Sequence, residues 1–192
     1  MKRVERSEIL ELGAYEEIRE VFRRRIIELK RTRRVALGSN MTVLFENHDT
    51  ALYQIQEMLR TERITREDAV LHEIETYNDL VPGERELSAT IFVEYPEREE
   101  RERMLIALAG LEQTFYVEVG GERLPVQNVT HGVMPDRTTA VQYTKIALTE
   151  SASLAVASGK AQVVFGVEHP AYRARAELSP RTVEELASDL RG

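Results

Sequence analysis

The first part of the chain carries apolar residues at helical spacing. Five of them recur every three or four positions between residues 14 and 32: Tyr15, Ile18, Phe22, Ile26 and Leu29. This spacing predicts an amphipathic helix with one buried stripe. Ser7 is a suitable cap for a shorter helix that ends at Leu12, and Gly13 is expected to separate the two helices.

One hairpin and two more helices are predicted before residue 82. Two β-prone runs, residues 35–37 and 41–45, flank a Gly-Ser-Asn turn, which is typical of a hairpin. Asp49 then fits the cap of a helix that ends near Glu62. A further helix is expected to begin at a Thr65 cap and to end before Pro82.

The second half of the chain is richer in predicted strands. Strands are expected at residues 87–95, 140–148, 161–167 and 172–178, with a second hairpin at 115–119 and 123–126 and a loop at 128–136. Helices are expected at 97–110, at 149–159 and from Pro180 onward. Because strands and helices do not alternate strictly, the pattern predicts an α+β fold. Its helical N-terminal part (1–82) packs on a mainly antiparallel sheet from the C-terminal part (83–192), within a single domain 1–192.

Composition narrows the class of protein. The chain has 192 residues, a net charge of -7 and no cysteine, so it can form neither disulfides nor a cysteine-ligated cluster. The charged N-terminus lacks the apolar core of a signal peptide, and no apolar run reaches the roughly 20 residues of a membrane span. We therefore expect a cytoplasmic protein without a membrane partner. The acidic total argues against a general nucleic-acid binder.

Searches for familiar catalytic motifs find no match. The sequence contains no phosphate-binding loop of the G-x-x-x-x-G-K type, no G-x-G-x-x-G, no H-E-x-x-H and no G-x-S-x-G. This argues against the common classes of enzyme that carry these motifs, and it leaves the reaction and substrate open.

A run of arginines near the end of the first long helix is the first candidate site. Five of its members are candidates for holding a phosphate or a carboxylate: Arg23, Arg24, Arg31, Arg33 and Arg34. The alternative is a solvated helix face, with cations near the negative end of the helix dipole.

A second candidate lies on the helix that follows the first hairpin. Tyr53, Glu57 and Arg60 are four and three residues apart, so they share one helix face and can form a polar network or a small-anion site. Glu62 is five positions from Glu57 and points about 140° away, so the two carboxylates cannot chelate one ion. The alternative is an ion pair at the surface or between packed elements.

Two more groups complete the candidate chemistry. Glu73 and Tyr77 share a helix face and can join the Glu57 network if their helices pack together. His169 precedes Pro170 at the end of an apolar strand, where an imidazole can serve as a metal ligand, a proton shuttle or the anchor of a structural turn. Glu57 and His169 are the metal-ligand candidates, for a divalent or transition metal whose identity stays open.

Several blocks of the sequence, taken in order, resemble a bacterial family known as domain of unknown function 3501. They are FRRRII (22–27), KRTRRVALG (30–38), YQIQEMLRTERI (53–64), YNDLVP (77–82) and HPAYR (169–173). The resemblance implies one compact domain and brings no established activity. The resemblance carries over seven of the candidate positions in these blocks, without a catalytic role: Glu57, Arg60, Glu62, Tyr77, Asn78, His169 and Tyr172.

The resemblance also implies a gene that is often located near genes for rubrerythrin-like and iron–sulfur oxidoreductase proteins. The resemblance therefore implies an accessory or interaction protein linked to redox or metal metabolism, with a partner from one of those two classes. The alternative is a small metal-dependent or anion-binding enzyme. Its site requires a set of side chains to converge in one pocket: Glu57, Arg60, Glu62, Glu73, Tyr77 and His169. Monomer and homo-oligomer are both compatible with the sequence.

Overall fold

Two antiparallel sheets and a set of helices make up the fold. A computed structural model describes residues 1–130 and 134–191, so His131, in the expected loop 128–136, lies outside the described residues. The helices of the described part are α1 (Leu12–Arg33), α2 (His48–Thr61), α3 (Glu67–Asn78), α4 (Arg98–Ala107), α5 (Glu150–Ala157) and α6 (Pro180–Arg191). Its strands are β1 (Arg34–Ala36), β2 (Met41–Glu46), β3 (Glu86–Val93), β4 (Phe115–Val119), β5 (Glu122–Pro125), β6 (Gln127–Asn128), β7 (Val141–Ala147), β8 (Val163–His169) and β9 (Tyr172–Glu177).

The strands are divided between two sheets. The first has the order β1-β2-β3-β7-β6 and the second β5-β4-β8-β9, and neighbouring strands are antiparallel throughout. This confirms the α+β class. The N-terminal hairpin, however, is not separate from the sheet of the C-terminal half: β2 pairs with β3, with Val43 opposite Ile91. Alternation along a strand shows which residues share a face, but it does not show which strand pairs with which.

The core lies between the facing sheets. Alternate residues of the first sheet, such as Val43 and Ile91, and of the second, such as Val117, are inaccessible to solvent. Phe45 and Phe165 meet across this layer in an edge-to-face contact, with ring centroids 6.1 Å apart. Each such side chain contributes about 1.5–3 kcal/mol when fully buried, so this layer is the main source of stability.

A second apolar cluster holds the N-terminal helices together. Ile55 and Leu59 of α2 pack with Val70 and Ile74 of α3, and Tyr143 of β7 packs against the same cluster. Tyr143 pairs with Thr90, so both side chains lie on the same face of the first sheet. Because Thr90 alternates along β3 with residues of the core, this face points away from the core. Helices α2 and α3 therefore cover the outer face of the first sheet. Within residues 1–130 and 134–191, no helix combines the length and apolar character needed to cross a membrane.

The predicted short helix before α1 and the predicted break at Gly13 are wrong. Only a 3-10 turn, Arg6–Glu8, precedes α1, and α1 begins at Leu12 and continues through the exposed Gly13. A glycine in the first turn of a long helix is tolerated, because packing further along fixes the helix.

The start of α2 lies earlier than predicted. Asn47, not Asp49, caps α2: its side chain accepts the Thr50 N–H at 3.0 Å, and its own N–H donates to the Thr50 hydroxyl at 2.9 Å. Asp49 instead accepts a hydrogen bond from Arg25 at 2.6 Å. Similarly, α3 starts at Glu67 after Arg66, without Thr65 as its cap.

Gly166 marks a close approach within the second sheet. It is opposite Tyr116, whose ring lies across it, and a Cβ at this position would overlap the ring. The guanidinium of Arg123 lies 3.5 Å from the centroid of the same ring. The glycine therefore makes room for a tyrosine that is held against the sheet.

We expect Gly166→Ala to lower the free energy of unfolding by about 1–3 kcal/mol, because the Tyr116 ring must leave its position. In the double variant with Tyr116→Ala the losses should be less than additive, since the clash is gone. Gly13→Ala, at an exposed helical position with open space, serves as control and should be neutral or stabilising. Urea unfolding measures all three; a Gly166→Ala protein as stable as wild type contradicts this account.

Candidate functional site

Glu57 lies at the interface between α1 and α2. Its carboxylate accepts hydrogen bonds from the Tyr15 hydroxyl at 2.7 Å and from Nε and Nη2 of Arg19, both at 2.8 Å. The arginine contact is bidentate, which is the strongest geometry for such a pair. The carboxylate of Glu57 is thus fully engaged with α1.

The neighbours of Glu57 on α2 also face α1. Arg60 donates from Nε to Glu16 at 2.5 Å, and the ring of Tyr53 meets Phe22 edge to face at 5.7 Å. This confirms that Tyr53, Glu57 and Arg60 share one helix face. The face joins two helices, as the ion-pair alternative proposes. Sequence reasoning missed the partners, because nothing in the spacing of α2 shows which helix packs against it.

The charges at this interface follow from the contacts. The Arg19 hydrogen bond lowers the pKa of Glu57, and the Tyr15 hydroxyl acts in the same direction, while partial burial opposes both. Burial raises the pKa of Tyr15, and the Glu57 carboxylate raises it further. Near neutral pH the group therefore consists of a carboxylate, a guanidinium and a neutral phenol, and it stabilises α1 against α2.

Tyr77, Glu73 and Glu62 do not join this group. Burial raises the pKa of Tyr77, which lies near Gln54 and Tyr143. Tyr77 and Tyr143 line a cavity of about 290 Å³ between the end of α3 and the first sheet. Glu62 is exposed at the C-terminal cap of α2, and Glu73 is half-buried on α3.

Asn78 is buried and binds the N-terminal segment. Its Oδ1 accepts the N–H of Val4 at 2.8 Å, and its Nδ2 donates to the Val4 carbonyl at 3.0 Å. A single amide side chain thus satisfies both backbone groups of one residue, as a neighbouring strand does. This explains Asn78 as an anchor for the segment that precedes α1.

His169 is buried at the end of β8, and both its ring nitrogens are engaged. Nε2 lies 3.1 Å from the carbonyl of Ala109, and Nδ1 lies 3.1 Å from the N–H of Ala171. The backbone N–H must donate and the carbonyl must accept, so the proton of the neutral ring is on Nε2. Neither nitrogen has a lone pair free for a metal in this arrangement.

Tyr172 ties the two sheets together. It lies on β9, and its hydroxyl donates to the Leu37 carbonyl at 2.7 Å and accepts the Asn40 N–H at 3.1 Å. These groups belong to the β1–β2 turn, where Gly38 has a φ of +75° and no space for a Cβ beneath the hydroxyl. Tyr172 therefore fixes the turn of one sheet against a strand of the other.

The metal-ligand candidates have separate surroundings. Glu57 bonds to α1, whereas His169 bonds to backbone groups of residues 109 and 171. Within the described ranges 1–130 and 134–191, no three His, Asp or Glu side chains are arranged to hold a metal ion. A metal held by Glu57 and His169 stays a prediction, and none of these contacts supports it.

Arg33 is buried, unlike the other arginine candidates of the basic stretch. Its side chain is 1% exposed, and Nη2 lies 2.6 Å from Asp189 and 3.8 Å from Glu185, both on α6. Burial raises the pKa of Asp189, although Arg33 pulls in the other direction. Arg33 thus forms an internal ion pair that joins α1 to α6 and cannot meet an external anion. The partner is 156 positions away in sequence, so no local signal predicts it.

The remaining arginines of the stretch are exposed. Arg31 pairs with Glu28 one turn earlier, at 2.9 Å. Arg23, Arg24 and Arg34 have no ion pair within the part of the chain that the structure describes. The anion-binding candidates are therefore reduced to the exposed members, which retain charge for an external ligand.

We expect Glu57→Gln to lower the free energy of unfolding near neutral pH by about 1 kcal/mol, through loss of the charged hydrogen bonds. Because the folded-state pKa of Glu57 is below its ordinary value of 4.5, its contribution is complete above that value and is lost as the pH falls through the lowered pKa. The variant should therefore lose less stability than wild type on acidification. Glu17→Gln, an exposed change on α1, should keep the wild-type pH profile.

His169→Ala should destabilise the fold by about 1–3 kcal/mol, because two part-buried hydrogen bonds are lost and the buried imidazole leaves a cavity. His169→Gln keeps a donor and an acceptor and should recover part of the loss. Unfolding midpoints with and without EDTA measure both effects. If EDTA lowers the wild-type midpoint and leaves that of His169→Ala unchanged, His169 is a metal ligand and this account of its role is wrong.

Comparisons with known proteins agree with the blocks seen in the sequence. A crystal structure from Burkholderia pseudomallei K96243, described as a novel protein of unknown function, is similar with a TM-score of 0.92 and 30% identity. The similarity covers 98% of this chain and 100% of that one. Comparison with curated proteins gives no match. The model of the family described as "Protein of unknown function (DUF3501)" matches residues 3–190, and the chain therefore belongs to this family.

Proposed function

We propose that the protein is a non-catalytic accessory protein that binds a partner from redox or metal metabolism. The main support is that its candidate polar side chains are already bonded within the chain: Glu57, Arg60, Asn78, His169 and Tyr172. A general acid, a base or a ligand needs a proton or lone pair directed at the substrate. These groups use theirs to join helices, turns and sheets.

The location of these residues supports the same proposal. Glu57 lies between two helices, Asn78 at the N-terminal segment and His169 at the end of a strand, and among the described residues they have no hydrogen-bond partner in common. An enzyme built from them would need a rearrangement of the fold to bring them together. The competing anion-binding function draws its support from the exposed cations of α1 alone.

Helix α1 also carries the features of a binding surface. Ile18 and Val21, three positions apart and therefore on one face, are 45% and 65% exposed, and the exposed Arg24 and Arg25 follow on the next turn. Ile27, nine positions after Ile18 and so on the opposite side of the helix, is 40% exposed. Exposed apolar residues rimmed by polar ones are typical of sites of protein association, where arginine is enriched. The family resemblance names the class of partner, an iron–sulfur oxidoreductase or a rubrerythrin-like protein.

We expect the untagged protein to form a complex with one of these two partners, each produced with its cofactor and without exposure to oxygen. Light scattering after size-exclusion chromatography at physiological salt should detect it, with a Kd of about 1 μM or tighter. Failure of every such protein encoded nearby to bind contradicts the proposal. So does a stoichiometric metal, found by elemental analysis, that both Glu57→Ala and His169→Ala remove.

A further inference from the structure

A groove lies between α1 and the outer face of the first sheet, beside its edge strand β1. Ile27, Lys30 and Arg31 of α1 form one wall. Arg34, Ala36 and Thr42 of the hairpin form the floor and the other side. The groove has a volume of about 510 Å³, enough for a few side chains of a bound segment.

The groove is positive in a protein that is acidic overall. Lys30, Arg31 and Arg34 line it, and none of its lining residues is acidic. Glu28 pairs with Arg31 at 2.9 Å, and Glu94 accepts the Thr42 hydroxyl at 2.6 Å and keeps its negative charge. The positive character of the groove therefore rests on Lys30 and Arg34. With a net charge of -7 on the whole chain, this positive surface is a local exception that attracts acidic groups.

Two of the cations lie over aromatic rings. Nζ of Lys30 lies 5.5 Å from the ring centroid of Tyr53, and the guanidinium carbon of Arg34 lies 6.0 Å from that of Phe92. Neither cation has an ion pair within residues 1–130 and 134–191. Positioned in this way, they lose less conformational freedom when they bind a carboxylate.

The groove also has an apolar component. Ile27 is 40% exposed and Ala36 is exposed, so a bound segment can bury a side chain between the charged contacts. A ligand that matches the groove therefore combines carboxylates with an aliphatic or aromatic side chain.

We propose that this groove is the docking site for an acidic, partly apolar segment of a partner protein. The inference rests on the proposed function, for which it supplies the surface. Carboxylates of the segment pair with Lys30 and Arg34, and an apolar side chain covers Ile27 and Ala36. A protein segment is favoured over nucleic acid, because a long polyanion would have to pass over the acidic remainder of the surface.

The probe is a short fluorescein-labelled peptide of Glu, Asp and Leu, followed by fluorescence anisotropy against the full-length protein. A Lys/Leu peptide of equal length and a single-stranded DNA oligonucleotide serve as comparison ligands. We expect the acidic peptide to bind, the basic peptide not to bind, and affinity for the acidic peptide to fall with rising salt. Tighter binding of the oligonucleotide than of the acidic peptide overturns the inference.

The decisive variant is Lys30→Glu/Arg34→Glu, with Arg98→Glu/Arg103→Glu as its matched control. The control changes the net charge equally on α4, where both arginines are exposed and have no ion pair in the described part of the chain. We expect about tenfold or greater weakening of peptide binding for the groove variant and less than about twofold for the control. Equal weakening in both, or no binding to wild type, overturns the inference.

Circular dichroism and urea unfolding check that the variants fold. If the reversal does not fold, Lys30→Gln/Arg34→Gln against Arg98→Gln/Arg103→Gln gives the same comparison. Measuring the partner complex with the groove variant distinguishes a failure of the groove proposal from a failure of the proposed function. A complex that survives Lys30→Glu/Arg34→Glu contradicts the groove and leaves the proposed function intact. Peptide binding in the groove, with no complex to any candidate partner, contradicts the proposed function and supports the groove.

Discussion

The fold depends on the apolar layer between its two sheets. Each sheet presents alternate side chains to the other, and Phe45 and Phe165 meet near the middle of the layer. Packing two sheets together removes polar groups at their rims and turns from water. These groups therefore need hydrogen-bond partners within the protein. Tyr172 and His169 supply such partners. Tyr172 forms a hydrogen bond between a strand of one sheet and the turn of the other, and His169 forms one between the end of β8 and the loop after α4.

The helices are joined in a similar way at three places. Glu57 and Arg19 connect α1 to α2, Arg33 and Asp189 connect α1 to α6, and Asn78 holds the N-terminal segment against the end of α3. Because α1 takes part in two of these connections, it is fixed from both sides while its remaining face stays exposed. A rigid exposed helix is well suited to presenting a binding surface, since little freedom is lost on association.

This distribution of polar contacts divides the cations of α1 and of the start of β1 into two groups. Some of these cations are neutralised within the fold, as Arg19, Arg25 and Arg33 are. Lys30 and Arg34 instead lie over aromatic rings and keep their charge toward solvent. Basic residues that look alike in the sequence therefore have different surroundings in the structure. The tertiary structure brings carboxylates next to some of them and aromatic rings next to others.

The sequence by itself determined the elements and the family. Periodicity located α1, both hairpins and the Thr149-capped α5, and five blocks identified the family that residues 3–190 match. It also placed Tyr53, Glu57 and Arg60 on one face, because helical spacing is a local property. Only the tertiary structure decided what that face meets, that two sheets form, and that Arg33 and His169 are turned inward. Those outcomes depend on partners far away in sequence, such as Asp189 for Arg33 and Ala109 for His169, and no local pattern encodes such distant contacts.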